Sequence, residues 1–149
     1  MPGVLRNDVF VRLLRARDYL HAAYDGPLSV PALAAEADFG THHFLRVFRQ
    51  AFGATPGRYL TQLRVERAKE LLRHGQSVTE ACFAVGFSSL GSFSTLFARE
   101  VGCTPSEYRR RARILAQIPD GLVRPFVPFC FASRYAIDRN SEEAPIFLP

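Results

Sequence analysis

With 149 residues, 48% of them hydrophobic, the chain is long enough to bury one core, and it carries a net charge of +5. No apolar run approaches the roughly 20 residues of a membrane helix, and the N-terminal stretch lacks the apolar segment and cleavage site of a secretory signal, so the chain is expected in the cytoplasm. Cys82, Cys103 and Cys130 show no CxxC spacing, which argues against a disulfide framework or a zinc cage. Cys82 and Cys103 fall where small buried hydrophobes are expected.

In chain order, Val9, Leu13, Ala16, Leu20 and Ala23 lie on one helical face and predict a scaffolding helix over 6–24, ended by Asp25-Gly26-Pro27. Ser29 caps a short helix with Pro31 in its first turn and Leu33 and Ala34 facing inward. Asp38-Phe39-Gly40 makes a turn in which Asp38 stands at a left-handed position. A helix over 42–52, starting at Gly40 or Thr41, turns Phe44, Val47 and Phe48 inward and His42, Leu45, Arg46 and Arg49 outward; Gly53 stops it. Thr55-Pro56 starts a long helix over 56–74 with Leu60, Leu63, Ala68, Leu71 and Leu72 expected to be buried.

Ser77-Val-Thr-Glu80 is a capping box opening another short helix, which breaks at Gly86-Phe87-Ser88. Cys82 and Gly86, four apart, are a small residue and then a positive-φ residue, as a tight helix crossing requires. The next helix puts Phe93, Leu96 and Phe97 inward, and Leu90, Ser92, Ser94 and Thr95 on its other face. Thr104-Pro-Ser-Glu107 reads as a second capping box and opens a closing helix through Arg113. Beyond about 117 helical periodicity is lost: five prolines fall in 33 residues, with an aromatic patch from Phe126 to Phe131. That segment is expected to be an irregular tail, and no role is assigned to it.

The second short-helix pair repeats the first. Phe39 matches Phe87 at a shift of 48, and Phe44, Phe48, Gly53, Thr55, Pro56 and Tyr59 match Phe93, Phe97, Gly102, Thr104, Pro105 and Tyr108 at 49. Two copies without a third argue for a tandem pair rather than a solenoid. The expected fold is therefore all-α, about seven helices, with two helix-turn-helix units over about 29–52 and 77–101 joined by the linker helix 56–74. In such a unit the second helix enters the DNA major groove. Residues 1–116 carry 16 Lys and Arg against 10 Asp and Glu, whereas 117–149 carry 3 against 4. The cationic surplus thus belongs with the helix pair, as phosphate binding requires.

The run from Gly86-Phe87-Ser88-Ser89 through Ser92-Phe93-Ser94, Phe97, Arg99 and Gly102 to Thr104-Pro-Ser-Glu-Tyr-Arg109 resembles the second half of the AraC/XylS-type DNA-binding domain. Arg64-Val-Glu-Arg-Ala-Lys-Glu-Leu-Leu72 is similar to that family's linker helix, and Leu33-Ala34 with Phe44-Leu-Arg-Val-Phe48 to its first helix-turn-helix. The resemblance covers residues 12–113, about two thirds of the chain. It implies a bacterial transcription regulator. Many family members carry an effector or dimerisation domain before this module; here only the first scaffolding helix precedes it, and a stand-alone regulator is the expectation.

The candidate base contacts are His42, Leu45 and Arg46 in the first unit and Ser89, Leu90, Ser92 and Thr95 in the second. Arg46 can present two N–H groups to the O6 and N7 of guanine, and Leu45 a methyl contact to thymine. His42 can donate to a base or phosphate, at a position that commonly contacts DNA in the family. The second set offers hydroxyls and methyls without a long cation; family members often carry arginine at the Thr95 position, and Gly91 has no side chain. The second unit is therefore expected to bind mainly through phosphates and DNA shape. Backbone candidates are Thr41, Arg49 and Arg58 in the first half and Ser88, Arg99, Arg109, Arg110 and Arg111 in the second.

Adjacent His42 and His43 do not share a helix face, and nothing completes a metal site around them, so neither metal nor cofactor is expected. The expected partner is double-stranded DNA, and RNA polymerase is implied by the family. A rigid linker can hold the two readers about one DNA turn apart, roughly 34 Å, so a monomer suffices and dimerisation is left open. Two other classes would leave different marks in the sequence. An enzyme would need a reactive-cysteine context, P-loop, GxSxG or HExxH motif, none of which the sequence contains. A degenerate helix-turn-helix interaction module, or an anti-regulator acting on another protein through the Phe126–Phe131 patch, would bind with little salt dependence.

Overall fold

The structure is a computed structural model that describes residues 7–116; expectations for the tail lie outside these residues. Contacts divide the chain into two units, Met1–Arg113 and Ile114–Pro149, and the architecture below is that of the first. Among the described residues seven helices follow one another: α1 Asn7–Ala22, α2 Val30–Glu36, α3 Thr41–Phe52, α4 Pro56–Arg73, α5 Val78–Ala84, α6 Leu90–Val101 and α7 Pro105–Ala116. Among the described residues there is no strand.

Hydroxyl caps start most of these helices. Ser29 Oγ accepts from the Ala32 N–H, Thr55 Oγ1 from Arg58 and Ser89 Oγ from Ser92. Ser77 and Glu80 form the expected reciprocal box, with Ser77 Oγ taking the Glu80 N–H and the Glu80 carboxylate taking the Ser77 N–H at 2.7 Å. At α7 the Thr104 hydroxyl caps the Glu107 N–H as expected, but the Glu107 carboxylate accepts from Arg110 and Arg111. Two nearby guanidinium groups offer it stronger, charge-assisted bonds than a backbone amide does.

These contacts make acid sensitivity predictable. The Ser77 backbone bond holds the Glu80 carboxyl below its ordinary pKa, and the Arg110 bond does the same for Glu107. Their stabilisation is complete above the unfolded carboxylate pKa of about 4.3 and is lost as pH falls through the lower folded values. Glu80→Gln keeps an acceptor for the Ser77 amide but removes the titration. Thermal melts between about pH 6 and pH 3 should therefore show a shallower acid limb for this variant, and an unchanged limb would remove Glu80 from the account.

The core of the first half is built from Leu13, Ala16 and Leu20 of α1, Leu33 and Ala34 of α2 with its C-cap Ala37, Phe44, Val47 and Phe48 of α3, and Leu60 of α4. Phe48 stacks against Phe44, Phe52 and Tyr59 with ring centroids 5.3, 4.6 and 5.7 Å away. In the second half Phe93 and Phe97 are fully buried, with Phe87 and Tyr108 packed edge-on against them. Cys82 is fully buried as expected, whereas Cys103 is only half-buried, because it lies in the short α6–α7 connection rather than on a packed helix face.

The linker helix departs from its expected stripe. Leu60, Ala68 and Leu72 are buried, but Leu63 and Leu71 are only half-buried, and Val65 and Lys69 join the interior. α4 packs against α3 on one side and α5 and α6 on the other, so its buried arc is wider and differently centred than a single stripe. Lys69, 4% exposed, is tolerated because its ammonium reaches both oxygens of Glu66 at 2.8 Å.

The repeat is larger than the helix-turn-helix. α1 and α4 are equivalent scaffolds: Arg12, Leu13, Ala16 and Leu20 recur 52 residues later as Arg64, Val65, Ala68 and Leu72, with the apolar members buried in both. Each scaffold is tied by its last turn to a closing tyrosine. His21 Nε2 lies 3.0 Å from the Tyr59 hydroxyl, and Arg73 Nε donates to the Tyr108 hydroxyl at 2.9 Å.

The two turns differ. Both carry a positive φ, 50° at Asp38 and 81° at Gly86. Asp38 is exposed, so a side chain fits. At Gly86 the backbone of Asp25, in the α1–α2 loop, occupies the space: a Cβ there would sit 2.2 Å from the Asp25 carbonyl oxygen. The second turn is pressed against the first unit, and only glycine allows that approach.

Candidate nucleic-acid interface

The outward face of α3 follows from its packing. Burying Phe44, Val47 and Phe48 leaves His42, Arg46 and Arg49 exposed at successive turns, with Thr41 and Leu45 half-buried beside them. Arg46 is not a free cation: one terminal nitrogen lies 3.1 Å from His43 Nδ1. The His43 ring stacks in turn on Phe39 of the turn, 5.1 Å between centroids. For Arg46 to donate, Nδ1 must be unprotonated. His43 thus orients the arginine from the preceding turn of the helix, a role that the sequence reading missed. The signal was present in the i, i+3 spacing of His43 and Arg46.

On α6, Ser89 is the N-cap residue and its hydroxyl oxygen accepts the Ser92 amide, which leaves its O–H and one lone pair for a further contact. Leu90, Ser92 and Thr95 are exposed, Leu90 at 41%, and Ser88 precedes them, also exposed. Phe83 on α5 is 57% exposed, an apolar side chain that the sequence reading passed over. The face of the second unit is therefore hydroxyl- and hydrocarbon-bearing, whereas that of the first is cationic.

The backbone candidates fall into distinct environments. Arg58 from α4 and Arg99 from α6 converge on Glu100, at 3.8 and 3.2 Å, joining a residue of each half around one largely buried carboxylate. Both guanidinium groups remain well exposed, at 60% and 68%. Arg110 and Arg111 share Glu107. Arg109 is half-buried and donates to the Gly75 carbonyl at 3.0 Å, bracing α7 on the α4–α5 loop. Among the described residues no group of three His, Cys, Asp or Glu side chains is placed to hold a metal ion, and no helix is long and apolar enough to cross a membrane.

Comparison with known proteins agrees with this arrangement. A family model described as a helix-turn-helix domain matches residues 33–111. The RCS-specific HTH-type transcriptional activator RclR of Escherichia coli K12 is 40% identical over 89 residues, which is 59% of this chain and 31% of that protein. The chain thus spans about a third of the length of the curated relatives it matches. A transcriptional regulator of the AraC-type DNA-binding domain-containing proteins from Chromobacterium violaceum superposes with a TM-score of 0.66 at 30% identity, covering 73% of this chain and 96% of that one. The DNA-binding domain of the global transcriptional factor AdpA, solved in complex with a target DNA, gives a TM-score of 0.65 at 29% identity, covering 72% and 98%. The chain belongs to the AraC-type helix-turn-helix family.

Proposed function

We propose that this chain is a sequence-specific DNA-binding transcription regulator whose α3 and α6 enter successive major grooves of one duplex. The observation that carries this reading is the pair of outward second-helix faces held within one compact unit, in a fold shared with a domain solved on its target DNA. Residues 1–116 form the DNA-binding domain, and the protein works in the cytoplasm. A monomer spans both grooves, and RNA polymerase is the second partner that the family implies. No catalytic step is assigned to it.

In this reading Arg46, steadied by His43, recognises guanine through two N–H groups, while His42 and Leu45 read neighbouring positions. Leu90, Ser92 and Thr95, with the remaining Ser89 hydroxyl, make weaker methyl and hydroxyl contacts in the second groove. Thr41, Arg49, Ser88 and the Arg58–Glu100–Arg99 cluster border the phosphates. Arg109, Arg110 and Arg111 act there mainly by holding α7 in place and by their field.

Selection from randomised duplexes at about 150 mM salt tests the reading. The expected result is an asymmetric motif of two blocks about one turn apart, with more information in the block read by α3. Arg46→Ala should reduce discrimination at one G·C pair by about 1–3 kcal/mol, roughly 5- to 150-fold. A uniform loss across all sequences would instead place Arg46 on the backbone. Absence of any enriched motif would overturn the DNA-reading function.

A further inference from the structure

Arg64 lies midway along α4, and its guanidinium joins three parts of the molecule. Nε donates to the Tyr24 carbonyl at 2.7 Å and a terminal nitrogen to the Gly26 carbonyl at 2.6 Å, both in the α1–α2 loop of the first unit. The same group lies over the Phe87 ring in the turn of the second unit, 5.6 Å from its centroid. Between the two acceptors sits Asp25, whose backbone is the one pressed against Gly86. Arg64 thus holds residues 24–26 where they touch the second turn.

The equivalent arginine of the first repeat behaves differently. Arg12 donates to Ala37 and Asp38, the carbonyls of its own unit's turn, and lies 3.9 Å over Phe39. In the second repeat the stacking on the turn phenylalanine is kept, but the hydrogen bonds go to the other unit. An arginine needed only to brace its own helix-turn-helix would repeat the first pattern. We propose that Arg64 is a positioning residue for DNA recognition: its clamp on the 24–26 loop fixes α3 and α6 relative to each other and so sets the spacing between base blocks that the protein accepts.

The inference rests on the two-groove reading above. Two readers locked together gain from the second contact only at the spacing they are locked to. Two readers that can pivot lose effective concentration at that spacing but tolerate others.

The test uses the full chain with three duplexes: the selected site, the same site with about three base pairs inserted between blocks, and a site with one block. The insertion turns one block by roughly 100° around the helix axis. For the native protein it should cost about tenfold or more in affinity. For Arg64→Met this penalty should shrink to below about threefold, with single-block affinity changed less than about twofold.

An undiminished penalty in Arg64→Met, or an equal loss on all three duplexes, overturns the clamp. Should Arg64→Met fail to fold by circular dichroism, Arg64→Lys decides, since it keeps the charge and stem but lacks the planar fork that places separate nitrogens on the two carbonyls and over the Phe87 ring. A reduced penalty in it supports the clamp, and an unchanged one overturns it. A native protein indifferent to spacing overturns both the clamp and the two-groove reading, and that result is visible before any variant is made.

Discussion

Gly86→Ala is expected to destabilise the protein by about 2–5 kcal/mol, lowering the melting temperature by roughly 10 °C or more. Two costs combine. With φ at 81° any L side chain is strained, and the new Cβ meets backbone atoms of Asp25 at 2.2–2.8 Å, which cannot rotate away as a side-chain tip can. Relief requires the 24–26 loop to lift from the second turn, against the two Arg64 hydrogen bonds. Asp38→Gly at the matching turn is the control. There φ is 50° and the side chain is exposed, so the change should stay within about 1 kcal/mol in either direction. Denaturant titration of both variants measures the contrast. A loss below about 1 kcal/mol for Gly86→Ala would mean that the loop moves aside freely and that the halves are not locked at this point.

Phe48→Ala should cost about 3–5 kcal/mol, a large part of the stability of a domain this size. Phe48 is fully buried, and three aromatic rings surround it within 5.7 Å, one from α4 and two from its own helix. Truncation removes those ring contacts together and leaves a cavity lined by side chains anchored to separate helices, which cannot close over it. Equilibrium unfolding in urea gives the value, and a change under about 1.5 kcal/mol would show that the α3–α4 seam repacks. The functional consequence is expected to exceed the stability loss. The same ring sets the rotation of α3 about its axis and thereby the direction of Arg46, so base discrimination should weaken even where the variant is fully folded.

Helix positions, the turn residues and the identity of the outward α3 face were legible in the sequence. They depend on local rules: hydroxyl caps at Ser29, Thr55 and Ser77, a 3.6-residue period through Phe44, Val47 and Phe48, and glycine or aspartate where φ turns positive. The internal repeat was legible as far as one register extended. Its scaffold helices escaped because Arg12 and Arg64 are offset by 52 residues and not 48 or 49, the α1–α2 loop being longer than the α4–α5 loop.

What only the tertiary structure decided is where the arginines point. Arg46 meets His43, Arg58 and Arg99 share Glu100, Arg109 turns to Gly75, and Arg64 crosses to the other unit's loop. An arginine side chain reaches far enough to choose among acceptors distant in sequence, and a helical period specifies only the face from which it leaves. The same limit hid Lys69, whose burial follows from α4 being packed on both sides. Residue type and spacing determine local geometry because the forces there act over a few residues. The pairing of long charged side chains is settled by which carbonyls and carboxylates the finished packing brings within about 3 Å.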